Sequence, residues 1–72
     1  MGRITDGERE QLVRFACSIA VLQSDGVTAN WHEIEQGLIA KYGISNSRAK
    51  HYAAHAIRRK HSEWANAQAA HS

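Results

Sequence analysis

Residues 38–59 read Leu38-Ile39-Ala40-Lys41-Tyr42-Gly43-Ile44-Ser45-Asn46-Ser47-Arg48-Ala49-Lys50-His51-Tyr52-Ala53-Ala54-His55-Ala56-Ile57-Arg58-Arg59. An apolar helical stretch runs into Tyr42-Gly43-Ile44, and a second helix then carries most of the positive charge. Gly43 suits the position just past a helix end, where a left-handed backbone is nearly free of cost for a residue without Cβ. Ser45, Asn46 and Ser47 offer side-chain oxygens to the unpaired N–H groups that open the next helix. Ile44, the one apolar residue of the corner, is placed to point inward and pin the two helices together. The pattern predicts a helix, a three-residue turn and a helix.

Read at about 100° per residue, the second of these helices sorts into two sides. Ala49, Ala53, Ala56 and Ile57, with Tyr52 alongside, form the expected core side. Ser47, Lys50, His51, Ala54, Arg58, His61 and Ser62 form the polar side. Arg48, His55 and Arg59 flank it, within reach of a backbone phosphate. Lys60 falls toward the core side, so the helix is expected to run past the body of the domain by about that point.

The run Leu38 to Ser45 followed by a basic helix resembles the core of bacterial helix-turn-helix regulators, most closely the Tyr-Gly-Val-Ser corner of gluconate-repressor-type winged helices. The resemblance covers about 20 of the 72 residues. It implies that Ala49 and Tyr52 are buried and that Ser45, Asn46, Ser47, Lys50, His51 and Ala54 face DNA. Ile39 stands where the family usually has a small residue, and Tyr52-Ala53 reverses the usual small-then-large order. Either a wider crossing of the two helices or a different register would follow. No wing strands are expected, because what remains of the chain is helical in pattern.

Seventy-two residues with a formal charge of +2 and a pI near 9.0 make one small domain. So short a chain buries a modest core, and a second subunit would help to stabilise it. Arg48, Lys50, Arg58, Arg59 and Lys60 put five of the nine Lys+Arg within thirteen residues, with no acid among them. The clustering, more than the net charge, suggests an anionic partner, although charge runs also form ordinary solvated helix faces. The single cysteine, Cys17, allows no intramolecular disulfide and suggests a small buried hydrophobe in a reducing, cytoplasmic setting. The apolar run from Phe15 to Leu22 is too short to span a bilayer, so no membrane association is expected.

Toward the N-terminus, Thr5 and Glu8 have capping-box spacing. Leu12, Phe15, Ala16, Ile19 and Leu22 then recur at helical period, with Val13, Ala20 and Val21 widening the apolar arc. So wide an arc calls for two neighbouring helices or for a second copy of the chain. Ser24-Asp25-Gly26 is a turn signal, and Gly26 is expected to end the first helix. Asn30 and Glu33 form a second candidate capping pair, after which Trp31, Ile34, Leu38 and Tyr42 share one face. Trp64 is open to packing on the first helix, covering a dimer seam, or exposure.

The expected architecture is all-α: a three-helix bundle of helix-turn-helix type with a long third helix. One domain spans 1–66, with helices at about 6–23, 31–42 and 46–65 and a frayed tail at 67–72. The expected function is sequence-specific binding of duplex DNA, with the third helix in the major groove, as a small regulator of phage, plasmid or bacterial type and as a homodimer. The residues expected to carry it are Ser45, Asn46, Ser47, Arg48, Lys50, His51, His55, Arg58, Arg59 and Lys60. The alternative is a small helical protein-binding module, such as a phage-encoded inhibitor of a host protein or nuclease complex. His32-Glu33-Ile34-Glu35-Gln36 departs from a zinc-protease motif at Gln36, and His51 and His55 have metal-ligand spacing without further ligands nearby. No metal, cofactor or enzymatic activity is expected, since no phosphate loop, nucleophile-base order or paired carboxylate appears.

Overall fold

In the computed structural model the described residues are 6–71, and they form three helices: α1 (Asp6–Ile19), α2 (Trp31–Tyr42) and α3 (Asn46–His71). The expected all-α bundle with a long third helix is what forms, each helix packing on the other two. Thr5, the first residue of the expected capping box, lies outside the described residues. Asp6 and Glu8 occupy the first turn of α1, where negative charge complements the helix dipole.

Helix α1 ends at Ile19, four residues earlier than its apolar period suggested. The cause lies eleven residues downstream in Asn30, whose side-chain amide donates to the Ile19 carbonyl at 3.1 Å and accepts from the Val21 N–H at 2.8 Å. The chain beyond Ala20 is thereby turned into a small hairpin. Leu22 and Ala29 form an isolated antiparallel bridge, and Gln23 N–H donates to the Thr28 carbonyl at 2.8 Å. Asp25 organises the tip: one carboxylate oxygen accepts from the N–H groups of Val27 and Thr28, and the other accepts from the Thr28 hydroxyl at 2.6 Å. These bonds hold the Asp25 carboxyl below its usual range, the Thr28 hydroxyl contributing most. Asn30 is therefore spent on the hairpin, and it makes no side-chain cap on α2 as its spacing to Glu33 had suggested. Its contact with Glu33 is a long 3.4 Å amide-to-carboxylate bond.

Helix α2 buries Ile34 and Leu38 completely. Tyr42 is half-buried with its ring edge-on to Phe15 at 5.6 Å, and the Lys41 ammonium stands 5.0 Å from the Phe15 centroid. Trp31, expected on the buried face, is 41% exposed at the first position of the helix, clear of the core. Helices α1 and α2 approach closely at Gly37, where a Cβ would come within 2.5 Å of Ile19 Cδ1. Ile39 is half-buried against the core.

Gly43 has φ 66° and ψ 27°, the left-handed conformation its place predicts, and its N–H donates to the Ile39 carbonyl at 2.8 Å. Ile44 packs half-buried on the core. The Ser45 hydroxyl accepts from the Arg48 N–H at 3.2 Å, and the Ser45 carbonyl accepts from Ala49 N–H at 2.9 Å. Ser45 is thus the N-cap of α3.

Ala49, Ala53 and Ala56 are completely buried, with Tyr52 and Ile57 nearly so, which is the expected core side of α3. Their small side chains let α1 and α2 pack close to the α3 backbone. The Cys17 thiol lies 3.8 Å from the Ala56 carbonyl, and burial pushes its pKa up, so it stays a thiol. Helix α3 does not end near 65. It continues through Ala70 to His71, because Ala and Gln are good helix formers and nothing in the segment breaks the backbone bonds. This rod makes the molecule elongated, 49 × 23 × 15 Å, with a radius of gyration of 13.0 Å; a compact chain of this length would have about 11 Å. No helix among the described residues is long and apolar enough to cross a membrane.

Candidate nucleic-acid interface

Because Ala49, Tyr52, Ala53, Ala56 and Ile57 face inward, the opposite side of α3 is left to solvent. Ser45, Asn46, Ser47, Arg48, Lys50 and His51 are all exposed over its first two turns, and Arg58 is exposed two turns further on. Ala54 and His55 are half-buried between them. The His51 ring meets Tyr52 edge-on at 5.3 Å and His55 edge-on at 4.7 Å, so the two imidazoles share one edge of the helix. Among the described residues no ion pair engages Arg48, Lys50 or Arg58.

Arg59 is placed differently. Its guanidinium makes a two-pronged contact with Glu10 of α1, Nη1 to Oε2 at 3.0 Å and Nη2 to Oε1 at 3.2 Å, so it is turned toward α1. Arg14 donates to the same carboxylate at 3.2 Å. Arg59 and then Arg14 hold the Glu10 carboxyl below its usual value, and Glu10 in turn raises the pKa of Arg59. Lys60 is half-buried, and its charge acts on Cys17 of α1. Neither Arg59 nor Lys60 therefore joins Lys50 and His51 on the exposed strip.

The far end of the strip is bounded by the hairpin. Arg58 forms one wall of a groove of about 260 Å³ together with Gly26, Val27, Ile57 and His61. His61 is exposed, as expected of the polar side, and its Nδ1–H donates to the Gly26 carbonyl at 2.6 Å while its ring stacks on Trp64 at 5.9 Å. Trp64, whose place the sequence left open, is half-buried over Gly26. The usable face of α3 thus runs from Ser45 to Arg58.

One basic residue near this face was not legible in the sequence. Arg9 of α1 acts electrostatically on His55, alongside His51, Arg58 and Arg59. The His55 pKa is lowered, first by burial and then by these cations. Nothing in the spacing of residue 9 relative to residue 55 announces this influence, which arises only once α1 and α3 are packed.

Comparison with protein-family models, with curated proteins and with solved structures returns no match.

Proposed function

We propose that the protein binds duplex DNA, with the first turns of α3 in the major groove. The observation that carries this is the left-handed corner at Gly43 leading into a Ser45-capped helix whose outer face presents Asn46, Ser47, Lys50 and His51 in a row. An α-helix fits the major groove, and short polar side chains at its start reach base edges while flanking cations meet phosphates. On this reading Arg48 and Arg58 attach to the backbone, and Asn46, Ser47, Lys50 and His51 read sequence. The protein then acts in the cytoplasm as a small regulator, and as a homodimer it would favour an inverted repeat with half-sites about 34 Å apart.

The test is binding to a mixed pool of duplexes across a salt series. Affinity should fall steeply as salt rises, since each neutralised phosphate releases counterions. Absence of binding at about 50 mM salt, where nonspecific attachment is easy, would defeat the proposal.

A second reading, a protein-binding module directed at a host protein, is favoured by a different observation. Val21 and Val27 are 61% and 65% exposed on the hairpin, and Trp31 is exposed beside it at the start of α2. Exposed apolar residues of this size serve a protein contact better than a phosphate contact. Failure of DNA binding would shift attention to this surface.

A further inference from the structure

The far end of the α3 strip opens into the groove beside the hairpin, and of the strip residues only Arg58 belongs to both. Gly26 and Val27 of the hairpin tip form one wall; Ile57, Arg58 and His61 of α3 form the other. Both walls are held in place. The Asp25 carboxylate fixes the tip through the Val27 and Thr28 N–H groups and the Thr28 hydroxyl. The His61 Nδ1–H donates across to the Gly26 carbonyl at 2.6 Å, and Trp64 stacks on His61 while covering Gly26. A ligand here meets a site already formed, so little ordering opposes its binding.

Two properties of the lining define what fits. Val27 is 65% exposed, although the turn uses only its N–H, so its side chain is left to the groove, which it lines with the nearly buried Ile57. The ionisable groups of the lining, Arg58 and His61, are both basic. No ion pair among the described residues engages Arg58. His61 has Nδ1 committed to Gly26, which leaves Nε2 to donate when the ring is protonated. Asp25, the acid beside the tip, has both carboxylate oxygens engaged within it, so it does not neutralise Arg58 by direct contact. Glu63 lies five residues beyond Arg58 in α3, about 140° around the helix from it.

We propose that this groove seats an apolar side chain of a partner protein, while a carboxylate next to it in that partner pairs with Arg58 and His61. The partner chemistry is an acidic peptide segment with an apolar anchor. The volume of about 260 Å³ lies below the roughly 300–1,000 Å³ of small-molecule pockets and suits one anchoring side chain. The proposal rests on the protein-binding reading above and names its partner. Duplex DNA would meet Arg58 but leave Val27 and Ile57 unused. A guanidinium engaged by a carboxylate is not free for a phosphate, so peptide and duplex are alternatives at Arg58.

In the experiment, random peptides displayed on phage are selected on the full chain, and an enriched peptide is synthesised for fluorescence anisotropy. The expected consensus is Asp or Glu adjacent to a large apolar residue. Arg58→Ala should weaken this peptide about tenfold, the worth of a hydrogen bond to a charged group. Converting the peptide carboxylate to its amide should cost the wild-type chain a similar factor and cost Arg58→Ala little, because both changes remove one interaction. Val27→Asp should abolish binding by setting a like charge at the apolar lip. Arg14→Ala removes the same charge from α1 and should leave the affinity unchanged. Circular dichroism confirms that each variant is folded, and the amide peptide tests the pairing on the unaltered chain. Duplex binding is measured in parallel.

Coupling between Arg58 and the peptide carboxylate, with loss of binding in Val27→Asp, supports the groove whether or not the chain also binds duplex. Enriched peptides that bind every variant equally overturn the groove and leave the protein-binding reading to Val21 and Trp31. A consensus without an acid also overturns it. Selection of no peptide overturns it as well, and the duplex measurement then decides the DNA-binding proposal separately. Self-association in equilibrium sedimentation that is lost in both Arg58→Ala and Val27→Asp would make a second copy of the chain the occupant and overturn the acidic peptide.

Discussion

Gly26 lies directly beneath the indole of Trp64: a Cβ at residue 26 would stand 2.5 Å from the ring atoms Cδ2 and Cε3. The glycine also has φ 71°, so an L side chain there would be strained as well as crowded. Gly26→Ala should cost about 1–2 kcal/mol for the left-handed backbone alone, with the displaced ring adding to it. In a Trp64→Ala background the ring contribution is gone and only the backbone strain remains. Thermal denaturation of the two single variants and the double variant should therefore show a coupling of about 0.5–3 kcal/mol. Simple additivity would mean that Trp64 does not cover the hairpin in solution.

Gly43 isolates the other component. Apart from its own chain neighbours, no atom of the described residues lies within 4 Å of a Cβ built at Gly43, so substitution there meets open space and costs only backbone strain. Gly43→Val should destabilise by about 1–3 kcal/mol. Gly43→Asn should cost clearly less, because Asn visits the left-handed region far more readily than a β-branched residue. Equal melting temperatures for the two variants would contradict the corner geometry.

Glu10 gives a test in which a variant gains function. It turns Arg59 toward α1 and away from the exposed strip. Glu10→Gln should release Arg59 and raise affinity for duplex DNA several-fold at low salt, with the salt slope steeper by about one. Stability should change little, since both partners are well exposed and solvent screens such pairs. Weaker duplex binding by a folded Glu10→Gln variant would show that the pair positions α3 for binding.

Readout and attachment separate along α3. Lys50→Ala or His51→Ala should reduce discrimination between a preferred and a scrambled duplex by about 1–3 kcal/mol. Arg58→Ala should weaken both duplexes alike and lower the salt slope by about one. Equal losses on both duplexes for all three variants would make α3 a basic handle that reads no sequence.

Acid should loosen the fold through the hairpin and the α1–α3 contact. Glu10 and Asp25 both have folded pKa values below their ordinary ones, so the stability they contribute is fully present above about pH 4–5 and is lost as pH falls through the folded values. His55 acts in the same direction at higher pH. Its lowered pKa means that the unfolded chain binds a proton first, so stability declines as pH drops below the ordinary histidine range. Asp25→Asn should flatten the acid limb of a stability–pH curve, and His55→Gln the limb nearer neutrality. Unchanged limbs would show that these groups titrate normally in the folded protein.

What could be read in advance was local. Gly43, Ser45 and the alanine face of α3 follow from residues within a turn or two of one another, where period and capping chemistry speak directly. The end of α1 could not be read that way, because Val21 and Leu22 keep the helical period while Asn30, beyond the hairpin, takes the Ile19 carbonyl and the Val21 N–H. Arg59 looked like a phosphate contact by angle alone, and Glu10 lies far away in the chain. Arg9 carried no local signal at all. Its electrostatic influence on His55 is a product of how α1 crosses α3.

The length of α3 also governs how the molecule moves through water. A particle 49 Å long and 15–23 Å across has more friction than a sphere of its 8.0 kDa mass. The monomer will therefore elute early from a sizing column and tumble faster about its long axis than end over end. An elution volume typical of a somewhat larger globular protein is thus the signature of a single chain. The proposed homodimer is properly tested by equilibrium sedimentation, which reads mass without reference to shape.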